Sequence, residues 1–143
     1  MKIAIVNGPN LNLLGTREPE VYGSQTFEAY LSELRQKYAS VEFSYFQSNV
    51  EGELINKLHE FAAAHDGILL NAAAYTHTSV AIADAVAAIK CPVIEIHISN
   101  IFAREDYRHV SFVGSYCIGS VSGFGLQSYE LGLQHFLMAN PGK

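Results

Sequence analysis

Apolar positions along this chain follow two alternating periods. Short β-branched runs are separated by stretches in which apolar residues recur every three to four positions, the pattern of strands joined by helices. Five runs read as strands: Ile3 to Val6, Val41 to Phe46, Gly67 to Asn71, Pro92 to His97 and Tyr116 to Val121. The first is apolar throughout and bounded by Asn-Gly-Pro, as fits a strand buried on both faces. Helical spacing links Phe27, Tyr30, Leu31, Leu34 and Tyr38 after a cap at Ser24, and then Leu54, Ile55, Leu58, Phe61 and Ala62. A last helix carries Leu126, Tyr129, Leu133, Phe136 and Leu137 on one face and ends near Asn140-Pro141. Strands alternating with helices predict an α/β fold, a parallel sheet covered by helices. No composition break or repeat interrupts it, so one domain spans residues 1–143.

Two stretches break the regular pattern. About fifteen residues separate the first strand from the next helical period, longer than most connections in compact domains, and such loops are commonly lids or binding loops. Leu11, Leu13 and Leu14 argue against a solvated tail there. Gly8-Pro-Asn-Leu-Asn-Leu is not the glycine pattern of a dinucleotide turn. The second stretch, Ser79 to Ile89, is apolar on nearly every side, so it predicts a helix covered twice, once by the sheet and once by another subunit. Asp84 is its one charge, and a carboxylate there either finds a partner across that contact or in a site, or points to a solvated edge.

Composition narrows the function. The chain has 143 residues, 49% of them hydrophobic and 16% charged, with a net charge of −5, so it has material for a core but no basic surface for nucleic acid or anionic membrane. Asn7 and Asn10 interrupt any signal-peptide pattern, and no apolar run reaches membrane-spanning length. A cytoplasmic protein is expected, with Cys91 and Cys117 as thiols.

Ligands of an open parallel sheet collect at the carboxyl ends of its strands. Of the four arginines, Arg17, Arg104 and Arg108 fall in loops after strands one and four, and only Arg35 lies on a helix. That distribution suits an anion, since guanidinium matches carboxylate or phosphate in a fork. Lys2, Lys37, Lys57, Lys90 and Lys143 all lie elsewhere, which leaves Schiff-base chemistry without a residue. Cys91 precedes the wrong end of strand four and Cys117 lies inside strand five, so a thiol nucleophile is not expected either.

Acid and base work remains. In Val93-Ile-Glu-Ile-His-Ile-Ser-Asn100, period two places Glu95 and His97 on one face, so a carboxylate can hold and charge an imidazole at the rim. The amides of Ile98 and Ser99 and the Ser99 hydroxyl can donate to an anion beyond it. Asn71 ends strand three at the same rim, and His77 follows near a helix start capped by Thr76 or Thr78. His77 reads as a zinc ligand or a hydroxyl binder; with no second His at ligand spacing, no metal is expected. His59, His65, His109 and His135 read as surface or packing residues. Tyr22 is a further acid or base: a phenol titrates near 10, and Arg17 in the same loop would favour the phenolate. Spacing alone serves equally well for a Tyr22 that merely packs the loop down.

Four separated blocks carry a resemblance. They are Asn7-Gly-Pro-Asn-Leu-Asn-Leu-Leu-Gly-Thr-Arg-Glu-Pro; Val21-Tyr-Gly; Asn71 through Thr76-His-Thr-Ser-Val; and Glu95-Ile-His-Ile-Ser-Asn with Ala103-Arg-Glu and Tyr107-Arg-His. In these the chain closely resembles type II 3-dehydroquinate dehydratase over nearly its whole length. The resemblance implies a flavodoxin-like three-layer sandwich with a five-stranded parallel sheet. It also implies a cofactor-free anti elimination of water from 3-dehydroquinate, through an enolate, in the shikimate pathway. Tyr22 matches the base, Arg17 its supporting arginine and His97 the acid that protonates the departing hydroxyl. Asn10 matches a residue holding a water at the enolate, and Asn71 one orienting the leaving hydroxyl. Ile98 and Ser99 match a carboxylate cradle, His77 and Arg108 residues that bind ring hydroxyls, and Arg104 a lid arginine. Asp84 matches an aspartate contributed across a trimer contact, within a dodecamer of four trimers. One departure is Ala72-Ala73-Ala74, where the family commonly has Pro or Ala and then Gly; a methyl at Ala73 would narrow the backbone's approach to a ligand. The alternative from another class is a flavodoxin-like module that uses the arginine rim to bind an anion without turnover.

Overall fold

The computed structural model describes residues 1–16, 20, 24–140 and 142. Arg17 and Tyr22 of the expected site, and Pro141 and Lys143 near the end, lie outside the described residues. Five strands form one parallel sheet in the order β2-β1-β3-β4-β5: β1 Lys2–Asn7, β2 Glu42–Gln47, β3 Gly67–Asn71, β4 Val93–His97 and β5 Gly119–Ser122. This order reverses between β1 and β3, the place where such sheets open a crevice at their carboxyl ends. The fold is α/β and flavodoxin-like, as expected.

Period two divides the sheet between two helical layers. Ile3, Ile5, Leu69, Ile94 and Ile96 face α1, Phe27–Lys37, and α4, Gln127–Ala139, and meet Phe27, Leu31, Leu34, Tyr129, Leu133 and Phe136. Ala4, Val6, Ile68, Leu70 and Val93 face α2, Glu51–Ala62, and α3, Val80–Ala88. Leu54 and Leu58 are fully buried there, each worth roughly 2 kcal/mol relative to exposure. Leu11 and Leu14 join the α1 side of the core, while Leu13 stays exposed.

Three expectations about element ends are corrected. The cap of α1 is Thr26, whose hydroxyl accepts from the Ala29 amide, and not Ser24. The cap of α3 is Ser79, accepting from the Ile82 amide, and neither Thr76 nor Thr78. The last strand begins at Gly119, because Gly114–Tyr116 forms a 3-10 turn closed by Cys117 N–H donating to the Gly114 carbonyl.

Two backbone positions shape the crevice. A Cβ on Gly8 would lie 2.5 Å from the Ala72 carbonyl oxygen, so the loop after β1 can cross β3 this closely only with glycine. Ala73 has φ 53, the left-handed region, in which Asn71 Oδ1 accepts from the Ala73 amide at 3.1 Å. A non-glycine residue there costs about 1–2 kcal/mol. Ala73→Gly is therefore expected to raise Tm by about 2 °C, the relieved strain exceeding the extra entropy of glycine. Calorimetry showing a lower Tm would mean that the Asn71 bond already absorbs the strain.

Candidate active site

The carboxyl ends of β1, β3 and β4 open into a cavity of about 190 Å³. That volume suits one small molecule rather than a dinucleotide. Asn10, Asn71, His77, His97, Ser99, Arg104 and Arg108 all line it, together with Leu11, Leu14, Ala73, Ala74, Ile101 and Glu105. Of the remaining expected residues, Glu95 lies behind His97, Ile98 is buried with its carbonyl accepting from the Gly125 amide, and Asp84 sits on the exposed outer face of α3, away from the cavity.

The two faces of the sheet contribute different groups. Asn7 and Asn71 are register partners on the α4 side. Tyr129 of α4 accepts from Asn71 Nδ2 at 2.9 Å and donates to Asn7 Oδ1 at 2.8 Å. With its oxygen held by the Ala73 amide, the Asn71 side chain has one orientation, and its second N–H remains for a ligand. Burial pushes the Tyr129 phenol far above its ordinary value, so it acts as a neutral link.

Glu95 and His97 project from the other face. The His97 Nε2 lies 3.1 Å from Glu95 Oε1, off the line of a hydrogen bond, so the contact is chiefly electrostatic. Glu95 is 2% exposed. Burial alone would raise its pKa, but the adjacent imidazole and the hydroxyls of Ser111 and Thr76 outweigh it and hold the carboxyl down at about 2. The pair's carboxylate is thus ionised throughout the neutral range.

His77 stacks beside His97, ring centroids 6.2 Å apart and 18° from parallel. Its Nδ1 lies 2.7 Å from the Val110 carbonyl, which only accepts, so the proton sits on Nδ1. Burial lowers its pKa, with His97 and Arg108 adding to the effect. A neutral His77 with an accepting Nε2 can take a hydroxyl proton, the role of a hydroxyl binder.

The cationic side of the cavity is organised by a residue the sequence reading did not single out. Glu105 Oε2 accepts from Arg108 Nε at 2.7 Å and lies 3.8 Å from Arg104 Nε. Arg104 also reaches the Ser99 hydroxyl at 3.4 Å, and the Arg108 guanidinium lies over the Tyr107 ring at 5.2 Å. His109, expected to pack, holds the Arg104 carbonyl through Nε2 at 3.1 Å. The adjacency Arg104-Glu105 with Arg108 three residues on was the available signal for Glu105, since residues at that spacing share a face of one helical turn. Arg35, by contrast, spends its guanidinium on the Phe43 carbonyl of β2, far from the rim.

A buried carboxylate behind a rim histidine, a neutral second histidine, an oriented amide and two arginines over a serine form a site for proton transfer on a small hydroxylated anion. Comparison with known proteins agrees with this chemistry. The family model described as dehydroquinase class II matches residues 1–137. The 3-dehydroquinate dehydratase of Acaryochloris marina is 54% identical over 134 residues, covering 92% of this chain and 90% of the relative. That of Prochlorococcus marinus strain MIT 9215 is 49% identical over 145 residues, covering 100% and 99%. The crystal structure of a type II dehydroquinase from Butyrivibrio crossotus superposes with TM-score 0.91 at 41% identity, covering 95% of this chain and 97% of that one. With sequence and fold in agreement along its length, the chain belongs to the class II dehydroquinase family.

Proposed function

We propose that this chain, as one catalytic domain, removes water from 3-dehydroquinate to give 3-dehydroshikimate, a step of the shikimate pathway. The observation that carries the reading is His97, backed by an ionised Glu95, facing the same cavity as Ser99, Arg104 and Arg108 in a member of this family. Ser99, with the neighbouring Ile98 backbone, takes the substrate carboxylate, and Arg104 closes over it as a lid arginine; His77 and Arg108 take ring hydroxyls, and Asn71 orients the leaving hydroxyl. Tyr22, as a phenolate favoured by Arg17, removes the proton beside the ketone, and the electron pair becomes an enolate. Asn10, which lines the cavity in the left-handed region at φ 67, holds the water that hydrogen-bonds the enolate oxygen. The enolate then expels the hydroxyl on the opposite face, which takes its proton from His97 and leaves as water.

Turnover is tested by adding 3-dehydroquinate to purified protein and following the ultraviolet absorbance of the conjugated product. Activity insensitive to EDTA and borohydride is expected. Binding without turnover would favour the anion-binding module instead, and inactivation by borohydride would implicate a lysine.

The proposal includes a homo-oligomer, a dodecamer built from trimers, working in the cytoplasm. In support, the outer face of α3 exposes Val80, Ala81, Asp84, Ala87 and Ala88, small apolar residues around one carboxylate, with Val80 60% exposed. Asp84→Ala is expected to weaken assembly or raise KM severalfold. Unchanged sedimentation together with an unchanged KM would remove Asp84 from this role.

A further inference from the structure

Behind the rim, Glu95 is surrounded more fully than a single histidine partner requires. Oε1 accepts from Thr76 Oγ1 at 3.0 Å and from the Ser111 hydroxyl, and Oε2 accepts from Ser120 Oγ at 3.0 Å. The three donors come from three separate elements: the 3-10 helix Ala73–His77 after β3, the loop after Arg108, and β5, where Ser120 is the register partner of Glu95. Ser111 is itself oriented, accepting from the Gly114 amide at 2.8 Å. A Cβ at Gly114 would stand 2.5 Å from Glu95 Oε2, so the turn leaves room for this carboxylate. Two of the donors therefore share with His97 the oxygen that faces it.

We propose that Thr76, Ser111 and Ser120 are positioning residues that act through Glu95 on His97. They fix the carboxylate and take up part of its charge, so that His97 is held as an acid yet releases its proton readily. The inference rests on His97 being the proton donor of the proposed reaction. Each hydroxyl that donates to Oε1 or Oε2 draws negative charge from the imidazolium's side, and its removal makes the carboxylate a stronger partner for the proton. The other groups near the pair keep their charge near neutral pH. Cys117 faces Glu95 as a thiol, which burial and then the carboxylate push up to about 12. His77 is neutral, Arg104 and Arg108 are cations, and Glu105 is held ionised by its own amide and by Arg108.

The test is an NMR titration of the His97 ring in the free full-length protein, for Thr76→Val, which keeps the shape and loses the hydroxyl, and for Thr76→Ser, which keeps the hydroxyl. Thr76→Val is expected to raise the His97 pKa by about half a unit, with Thr76→Ser restoring the parent value. Ser120→Ala, on an exposed strand position, is expected to raise it as well, and Ser120→Thr to restore it. In parallel, the alkaline limb of the kcat profile should move up with the NMR value while kcat falls severalfold. A His97 pKa that is unchanged or lowered in folded Thr76→Val and Ser120→Ala overturns the proposal. Absence of turnover in the parent protein would instead sink the functional reading and leave the titration readable.

Discussion

His97→Ala is expected to fold like the parent chain and to lose about a thousandfold in kcat, the range spanned by positioned general acids. The structure explains why folding should survive. Glu95 loses its imidazole neighbour but keeps Thr76, Ser111 and Ser120 as donors, so its charge is still satisfied in the core. KM should change less than kcat, since the substrate contacts proposed for Ser99, Arg104 and Arg108, which line the same cavity, do not depend on His97. The pH profile should lose its alkaline limb at the same time. A variant within tenfold of the parent rate would show that another group protonates the leaving hydroxyl.

Tyr22→Phe is expected to cost kcat at least as much, about a thousandfold or more, because it removes the hydroxyl of the proposed base and keeps an aromatic ring of the same size. A free phenol titrates near 10 and would supply little base at neutral pH. The role therefore requires Arg17, and Arg17→Met should lower kcat while shifting the acidic limb of the profile upward, as a phenol deprived of its cation ionises later. Solvent deuterium exchange at the carbon beside the ketone measures the first step directly: it should be lost in Tyr22→Phe and retained in His97→Ala. Exchange at parent rate in Tyr22→Phe would remove it as the base.

These two residues differ in how they were legible. His97 follows from strand periodicity, because Glu95 and His97 two residues apart must share a face wherever β4 lies in the sheet. Tyr22 does not follow from any period, and the resemblance of the Asn7 and Val21 blocks carried its assignment. The run Tyr116-Cys-Ile reads as strand on β-propensity, yet Gly114 and the hydrogen bond from Cys117 turn the chain first, which delays β5 to Gly119. Local hydrogen bonding there overrode side-chain preference. The caps failed for a similar reason: Ser24 and Thr78 are as competent chemically as Thr26 and Ser79, and only the backbone direction at each helix start selects between them.

By itself, then, the order of residues determined the alternation of strands and helices, the apolar faces that make two layers about a parallel sheet, and the placing of Asn71, His97, Arg104 and Arg108 at or beyond strand ends with Glu95 behind His97. Those features depend on spacings of a few residues, which a chain displays directly. Tertiary structure decided the rest. Tyr129 orients Asn71 across 58 residues and Asn7 across 122, Ser120 reaches Glu95 across 25, and Glu105 bridges two arginines that sequence shows only as neighbours. Ala73 adopts its left-handed turn because Asn71 holds it and Ala72 is pressed against Gly8. Such contacts arise where separate elements meet, and no local period encodes which hydroxyl will face which carboxylate once the sheet has closed.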